Sequence, residues 1–533
     1  MPRPQPGTWI SDRLREGYVA LHRAGFAHSV EAWREGELVG GFYGVSIRTV
    51  FCGESMFALA PDASKVAFAT AATALFASGC TMIDCQMRTD HLARFGGADL
   101  PRDDFLARLG AALGSRRDID WTNQRFAIPA LSPSARFARI RAMNDNQHRA
   151  EPLFAIDKDI PAGNIALDRI EGDTVYLHQE LRDTDGPWFY WAFRVRGAEG
   201  RTLDFRFTES VAVGTCGPCV SLDRGATWQY AAEGKTTPNY FPYTFPADAH
   251  EVWFSQTIPY LQTNWESFLA RHEADRGRLF ETGVLCQSRK GRAVEKAVFG
   301  NLSGHPRRRF FLSARRHCGE TMANYVLEGI LECVFAPDDL GDWLRRDVEI
   351  MVVPFMDKDG CEDGDQGKNR RPHDHNRDYT DFLYPETRGI RDWIAERAGN
   401  VLDIFFDFHC PWLHGKHNES VYQVHSRDPE NAERTQRFGR ILEGLQSGCM
   451  AYREEDDIRW GVDWNTDRNY GAGRSVKRWA FEDLRCGFIS SFEIPFATAN
   501  GKTVTPDNCR EFGRDVARAY RVFLTEANAG LPE

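Results

Sequence analysis

The sequence predicts an α/β protein in three parts: an α/β lobe, an antiparallel β-sandwich, and a mixed, mostly parallel sheet flanked by helices. Its 533 residues exceed what one hydrophobic core usually holds. Apolar residues alternate at period two between about 151 and 275, and short apolar runs alternate with helical stretches after 276. We therefore expect domains at 1–132, 151–275 and 276–533, with a linker at 133–150.

The composition is typical of a globular protein, with 42% hydrophobic and 27% charged residues. A net charge of −10 argues against nucleic-acid or membrane-surface binding by the whole molecule, although the first 150 residues are slightly basic. We find no apolar run of membrane-spanning length and no secretory leader, so the expected location is the cytoplasm.

The 13 cysteines are scattered and odd in number, which argues against a disulfide framework. Cys216 and Cys219 form a C-x-x-C pair in "TCGPC". Because "VSLDRGATW" follows where a redox motif would begin a helix, we interpret them as two reduced cysteines in a β-rich segment.

The first segment combines strand-like pieces, "HSVEAW", "ELVGGFYGV" and "TVFCGE", with the apolar helix "DASKVAFATAATALFASG". The polar, basic stretch 133–150 has no strand pattern and is read as a linker or an exposed helix. In the second segment, "WFYWAFRVRG" and "RTLDFRF" alternate at period two, and "SLDRGATW" supplies a turn. Aromatic residues this dense are expected to form the core of a sandwich rather than a sugar-binding face.

The third segment contains the apolar runs "RRFFLS", "VEIMVVPFM", "VLDIFFDFH" and "GFISSFEIPF", separated by helical stretches. This alternation indicates a doubly wound sheet, in which ligands bind beyond the carboxyl ends of the strands. His317 and Glu320 follow the first run, His409 ends the third, and Glu493 lies in the last. Two His and one Glu are a normal ligand set for a catalytic Zn²⁺ with an open coordination position.

These motifs together resemble the zinc metallocarboxypeptidases of the cytosolic-carboxypeptidase type, over about 151–527. The matching strings are "HCGET", "DKDG", "GKNRRPHDHNRDY", "DFHCPWLHG" and "SFEIP". The sequence pattern of the preceding β-domain, "WFYWAFRV…SLDRGATW", is also similar. The resemblance implies that His317, Glu320 and His409 hold one Zn²⁺. It also implies that Glu493 is the general base that activates water and then protonates the leaving amine.

The same resemblance assigns the substrate contacts. Asn376 and Arg377 would bind the α-carboxylate of a peptide, since a guanidinium group binds carboxylate bidentately. A second arginine would polarise the scissile carbonyl; Arg370 fits the spacing better than Arg371, and both remain open. Asp407 would orient a ligand imidazole.

Two departures from the family pattern leave questions open. Cys318 stands where the family has proline, and the Gly-His after the third ligand is displaced, which makes His414 or His417 an alternative ligand. The sequence identifies neither a catalytic tyrosine nor the residue that selects the terminal side chain.

Residues 7–110 resemble the carboxyl-terminal lobe of leucyl/phenylalanyl-tRNA–protein transferase, which is acetyltransferase-like. The matching strings are "GTWI", "AHSVEAW", "ELVGGFYGV", "FCGESMF", "DASK", "IDCQ" and "HLARFGGADLPR". The resemblance implies an aminoacyl-tRNA partner and a transferase site that includes Trp9, Phe51, Glu54, Asp84 and Gln86. Phe51 and Glu54 would border the aminoacyl-adenosine pocket, Asp84 and Gln86 would orient the attacking amine, and Trp9 would line the site. That family's amino-terminal lobe has no counterpart in the sequence.

We therefore expect a zinc carboxypeptidase that acts on peptide or protein C-termini. The alternatives are an aminoacyl-tRNA-dependent transferase that adds Leu or Phe to protein N-termini, a bifunctional fusion of both, and a binding module without catalysis. The sequence also leaves open whether the fusion is functional or joins two neighbouring coding regions, and it does not predict the oligomeric state.

Overall fold

The computed structural model describes residues 12–34, 37–60, 63–86, 95–115, 119, 154–182, 184–231, 236–470 and 473–527. The chain divides into two compact units, Met1–Asn146 and Gln147–Glu533. The predicted linker at 133–150 and Trp9 lie outside the described residues. Among the described helices, none is long and apolar enough to cross a membrane.

The front unit is a four-stranded sheet with helices, in the order β1-β2-β3-β4. Neighbouring strands are antiparallel except β3 and β4, which are parallel. Phe42, Phe51, Phe68 and Leu75 are buried between the sheet and α2. The elements are α1 (Asp12–Arg23), β1 (Ala27–Arg34), β2 (Glu37–Ile47), β3 (Val50–Ala58), α2 (Ala63–Ala77), β4 (Met82–Asp84) and α3 (Arg102–Leu113).

The second unit begins with a β-sandwich of a five-stranded and a four-stranded sheet. The sheet orders are β11-β10-β13-β8-β5 and β12-β9-β7-β6. The strands are β5 (Ala155–Asp157), β6 (Ala166–Glu171), β7 (Thr174–His178), β8 (Ala192–Arg196), β9 (Thr202–Phe207), β10 (Cys219–Ser221), β11 (Gln229–Tyr230), β12 (Tyr240–Thr244) and β13 (Glu251–Ser255).

The expectation of a fully antiparallel sandwich needs one correction, because β7 and β9 pair in parallel. The chain leaves β7, forms β8 in the opposite sheet, and returns to lie beside β7, which gives two neighbouring strands the same direction. The dense aromatic residues pack between the two sheets, with Trp191, Phe193, Phe205, Phe241 and Phe254 all buried. Their ring centroids lie 4.9–6.0 Å apart in successive pairs, as in an aromatic core.

A mixed seven-stranded sheet follows, in the order β14-β15-β17-β16-β18-β20-β19. Within the described residues, the four strands β17, β16, β18 and β20 are mutually parallel, and the strands outside them pair antiparallel. The parallel character that the sequence predicts is therefore restricted to the centre of the sheet. The strands are β14 (Phe280–Gln287), β15 (Ala293–Gly300), β16 (Arg308–Ala314), β17 (Val348–Val353), β18 (Val401–His409), β19 (Tyr422–Gln423) and β20 (Arg485–Glu493).

Helices cover this sheet, and the central strands are buried along nearly their whole length. A two-stranded ribbon, β21 (Thr498–Ala499) and β22 (Lys502–Thr503), precedes the last helix. The helices are α4 (Gln262–Arg271), α5 (Met322–Glu332), α6 (Asp339–Asp347), α7 (Lys358–Asp363), α8 (Pro385–Ala398), α9 (Pro429–Leu445), α10 (Asp467–Tyr470), α11 (Val476–Asp483) and α12 (Pro506–Ala527).

Helices α5 and α12 approach each other closely through two glycines. A Cβ atom at Gly329 would lie 2.1 Å from the carbonyl oxygen of Arg510, and one at Gly513 would lie 2.2 Å from that of Val326. Because α5 leads directly from the turn that contains Glu320, this packing supports the position of that turn.

We predict that Gly329→Ala lowers the thermal stability of the protein. The backbone clash should cost about 1–3 kcal/mol, more than the roughly 1 kcal/mol that alanine gains over glycine in a helix. The matched control is Gly444→Ala in α9, where the added Cβ meets nothing within 4 Å. Scanning calorimetry should show a lower midpoint for Gly329→Ala and an unchanged or higher midpoint for Gly444→Ala. Equal shifts would contradict the close approach.

Candidate metal centre

The carboxyl ends of three adjacent parallel strands meet at one edge of the sheet. Strand β16 ends at Ala314, which pairs with Phe408 on β18. At the end of β18, His409 pairs with Glu493, the last residue of β20. The turn after β16 then brings His317 and Glu320 to the same edge, as expected for a ligand site in a doubly wound sheet.

His317, Glu320 and His409 form one compact group of donor atoms. The Nδ1 atom of His317 lies 2.9 Å from Oε1 of Glu320, and Nδ1 of His409 lies 2.8 Å from Oε2. Their donor atoms all lie within 4.8 Å of one another, and all three residues are buried. Nitrogen and oxygen donors in this number and proximity fit a Zn²⁺ ion.

A carboxylate lies on the other side of each imidazole. Nε2 of His409 lies 2.6 Å from Asp407, and Nε2 of His317 lies 3.7 Å from Asp374. The Asp407 contact favours the His409 tautomer with the proton on Nε2, which leaves Nδ1 available to a metal, whereas Nε2 of His317 has no hydrogen-bond partner among the described residues. Asp407 lies where the sequence interpretation expects an orienting carboxylate, whereas Asp374 was not singled out.

Electrostatics favours the charged forms of His409 and Glu320. Burial alone would lower the pKa of His409, but Asp407 and Glu320 raise it to about 10. Burial would likewise raise the pKa of Glu320, yet the two histidines hold it well below its usual range. A proton on His409 and a metal ion compete for the same Nδ1 atom, so metal binding would release that proton.

Asp407 has a buried basic partner that the sequence reading missed. The guanidinium Nε of Arg316 lies 2.8 Å from Asp407, and both side chains are fully buried. Ser313 donates a second hydrogen bond to the same carboxylate at 2.7 Å. Burial would raise the pKa of Asp407, but Arg316 and His409 lower it. In the sequence, Arg316 is indistinguishable from the neighbouring Arg315, which instead donates to the Cys318 carbonyl.

Glu493 is buried beside the three donors, with only 6% of its surface exposed. Among the described residues, its Oε2 atom has no hydrogen-bond partner. Burial raises the pKa of Glu493, while the charges on His409 and Lys368 oppose the rise. A carboxylate of raised pKa at the edge of a metal centre is suited to accept and return a proton.

Asn376 and Arg377 lie in the single 3₁₀ turn His375–Arg377. The Asn376 side-chain oxygen accepts from the backbone N–H of Val476 at 3.1 Å. Arg377 donates to the Asn376 carbonyl at 3.0 Å and to the Asn469 carbonyl at 3.3 Å. The Arg377 charge also helps to lower the pKa of Asp374, which contacts His317, so this turn borders the metal centre.

The two alternative arginines differ sharply in environment. Arg370 is buried and pairs with Asp357 and Asp365, each at 2.5 Å. The Arg371 side chain is 75% exposed and makes a bidentate pair with Asp185 of the sandwich at 2.6 and 3.1 Å. These three ion pairs anchor the loop that leads to Asn376.

The two histidines weighed as alternative ligands lie apart from the donor group. His414 contacts the Val213 carbonyl at 2.7 Å, and His417 pairs with Asp463 at 3.0 Å. Burial raises the pKa of both Cys216 and Cys219, which disfavours the thiolate that redox chemistry needs.

In the front unit, the structure brings together some of the residues assigned by resemblance. Phe51 on β3 is fully buried against Phe42, at 5.9 Å between ring centroids. Asp84 ends β4 and accepts from the backbone N–H of Gln86 at 2.8 Å. Glu54 lies further along β3, where burial and its hydrogen bond raise the pKa of Tyr18 to about 12.

Comparisons with known proteins match the two units to different sets of proteins. Residues 1–110 match the family model described as leucyl/phenylalanyl-tRNA protein transferase. The transferase of Myxococcus xanthus (strain DK1622) is 58% identical over 131 residues, which cover 24% of this chain and 56% of that protein. That of Anaeromyxobacter sp. (strain K) is 56% identical over 109 residues, 20% of this chain and 47% of that protein. The chain thus spans about half the length of these curated relatives.

The second unit resembles solved metallocarboxypeptidase structures. A metallo-carboxypeptidase from Burkholderia cenocepacia superposes with a TM-score of 0.57 at 18% identity, over 70% of this chain and 100% of that chain. A metallo-carboxypeptidase from Pseudomonas aeruginosa, solved with (2-guanidinoethylmercapto)succinic acid, superposes with a TM-score of 0.55 at 18% identity. The superposition covers 70% of this chain and 99% of that chain. At such identities the likeness establishes the fold. The chain therefore joins a front segment that matches the leucyl/phenylalanyl-tRNA protein transferase model to a domain with a metallocarboxypeptidase-like fold.

Proposed function

We propose that residues 154–527 form a zinc-dependent carboxypeptidase that releases the C-terminal residue of peptides or protein tails. The observation that carries the proposal is the convergence of His317, Glu320 and His409, with Glu493 ending the neighbouring strand. Zinc at these donors would supply Lewis acidity, which lowers the pKa of water and polarises a carbonyl. The metallocarboxypeptidase-like fold supports the same reaction class.

The protein's own residues have distinct roles in this proposal. Glu493 accepts a proton from the attacking water and returns it to the leaving amine, which its buried, raised-pKa carboxylate favours. Asn376 and Arg377 bind the α-carboxylate of the terminal residue, which places the scissile bond toward the metal centre. Asp407 holds the His409 imidazole in place, and Asp374 places a negative charge beside the His317 imidazole. We also propose a cytoplasmic location, which suits thirteen free cysteines.

The test of this proposal is hydrolysis of paired peptides with free and amidated C-termini. Mass spectrometry should show stepwise loss of terminal residues from the free peptide and no loss from the amidated one. Cleavage that ignores amidation, or internal cleavage, would refute the exopeptidase assignment.

For Arg377→Ala, we predict a fall in kcat/KM of about 10- to 100-fold, mostly through KM, because the variant loses charge-assisted hydrogen bonds to the substrate carboxylate. Steady-state kinetics on the free-terminus peptide measures the effect. Arg391→Ala is the control, since Arg391 pairs with Asp392 on the surface of α8. An unchanged KM in the Arg377 variant would remove this residue from the substrate site.

As a second function, we propose that the front unit acts on aminoacyl-tRNA and a protein N-terminus. The specific support is the 58% identity to a curated transferase over 131 residues. Asp84, held by the Gln86 N–H, would orient the attacking amine. The test is aminoacyl-tRNA-dependent labelling of a peptide N-terminus by the full chain, with Asp84→Asn as the variant. Labelling that persists in Asp84→Asn would refute the role of Asp84, and no labelling by the wild type would refute the second function.

A further inference from the structure

The arginine that resemblance assigns to the scissile carbonyl is held by other groups. Both ends of the Arg370 guanidinium pair with carboxylates, Asp357 and Asp365, each at 2.5 Å. Asp357 is itself fixed, because it also caps α7 through the Gly360 N–H at 2.9 Å. To reach a substrate, Arg370 would have to break both of these ion pairs, which is unfavourable for buried charges even though Asp365 also pairs with Arg182.

A lysine two residues earlier, Lys368, follows a stretch of backbone that contacts the ligand turn. The backbone N–H of Gly319, between the ligands His317 and Glu320, donates to the Gln366 carbonyl at 3.3 Å. At Gly367, which has φ of +79°, an added Cβ would lie 2.7 Å from the Cys318 nitrogen. The backbone that leads into Lys368 therefore rests directly on the ligand turn.

The Lys368 ammonium makes a cation–π contact with a tryptophan ring. Its Nζ atom lies 5.4 Å from the ring centroid of Trp188, a residue of the sandwich. The Trp188 ring packs against Trp412, 5.0 Å away, three residues after His409. Lys368 is half-buried, and among the described residues its ammonium is recorded in no ion pair. Its charge opposes the rise in the pKa of Glu493 and also helps to lower the pKa of Asp374.

We propose that Lys368 is a catalytic residue that binds the scissile carbonyl oxygen, in place of Arg370. The inference rests on the proposed carboxypeptidase function. Water attacks the carbonyl carbon, the π electron pair moves onto the oxygen, and the Lys368 ammonium donates a hydrogen bond to that oxygen without losing a proton. When the carbonyl re-forms, the C–N bond breaks, and its electron pair takes up the proton that Glu493 accepted from water. The products are a shortened peptide carboxylate and a free amino acid.

The test compares Lys368→Met and Lys368→Arg with the wild type. Removing one donor to a developing oxyanion lowers kcat by about 10²- to 10³-fold, so we expect that loss in Lys368→Met, with unchanged zinc content and partial recovery in Lys368→Arg. The matched control is Lys296→Met: Lys296 also lies over a tryptophan ring, Trp393, at 5.0 Å, but on the antiparallel side of the sheet.

A second measurement does not depend on turnover. Calorimetry with a phosphinic peptide, whose tetrahedral phosphinate replaces the scissile amide, should show affinity lost in Lys368→Met by about the same factor as kcat/KM. Binding of the free amino acid product should stay unchanged, because Lys368 contacts only the carbonyl oxygen in this proposal.

The outcomes separate this inference from the function on which it rests. If the wild type cleaves peptides and Lys368→Met stays within threefold, or Lys296→Met falls equally, the inference is overturned and the carboxypeptidase stands. If the wild type releases no amino acid, the proposed carboxypeptidase function is refuted. If wild type and Lys368→Met also bind the phosphinic peptide with equal affinity, the proposed role of Lys368 is refuted as well. Absence of phosphinic-peptide binding in a wild type that also releases no amino acid overturns both.

Discussion

Glu493→Gln is expected to lower kcat for C-terminal hydrolysis by about 10³-fold or more while the protein keeps one zinc ion per chain. The amide has nearly the shape of the carboxylate but cannot accept a proton from water. Glu493 lies outside the donor group formed by His317, Glu320 and His409, so the metal should remain bound. Steady-state kinetics and metal analysis of the same preparation measure the two quantities together.

The control for this variant is Glu281→Gln, an exposed carboxylate on the edge strand β14 that should leave both quantities unchanged. A Glu493→Gln protein that keeps zinc and more than a small fraction of the activity would exclude Glu493 as the general base. Loss of zinc together with activity would instead make Glu493 a metal ligand.

Removal of the metal is expected to have the second large effect. Dialysis against a chelator should abolish peptidase activity, and Zn²⁺ should restore it while Mg²⁺ should not, because two of the three donors are imidazoles. The thermal midpoint should also fall, since a ligand present at a thousand times its Kd stabilises the folded state by about 4 kcal/mol.

The Glu493→Gln protein provides an internal control for this experiment. Chelation should lower its midpoint as much as that of the wild type, because both proteins keep the same three donors. A metal-free wild type that hydrolyses peptides at the full rate would contradict metal-dependent catalysis.

The sequence predicted both family resemblances and the mixed α/β architecture, and the comparisons confirm the resemblances. The three candidate ligands could be proposed from the sequence because each half of the candidate metal centre lies where an apolar run ends. His317 and Glu320 follow one buried strand, and His409 ends the next strand in the sheet. Their positions at strand ends, together with the family resemblance, led to the prediction that these three residues share one site.

Contacts that depend on the path of a long loop could not be predicted. Residues 364–378 have no hydrophobic periodicity, so nothing in the sequence shows that Asp374 lies beside His317 or that Gly367 rests on the Cys318 turn. The choice between Arg370 and Arg371 depended on spacing alone, whereas their different environments come from Asp357, Asp365 and Asp185.

The directions of strands outside the centre of the large sheet could not be predicted from the sequence either. Strands β7 and β9 become parallel because β8 crosses to the opposite sheet, and period-two alternation reports burial but not direction. The paired arginine and aspartate, Arg316 and Asp407, lie 91 residues apart in the chain, and only the pairing of β16 with β18 brings them into contact.

Anomalous diffraction at the zinc edge, on crystals of the protein with zinc, tests the metal centre most directly. We predict one strong peak about 2.0–2.2 Å from Nδ1 of His317, Nδ1 of His409 and the Glu320 carboxylate. No peak among these three residues, or a peak at Cys216 and Cys219 instead, would contradict the zinc carboxypeptidase.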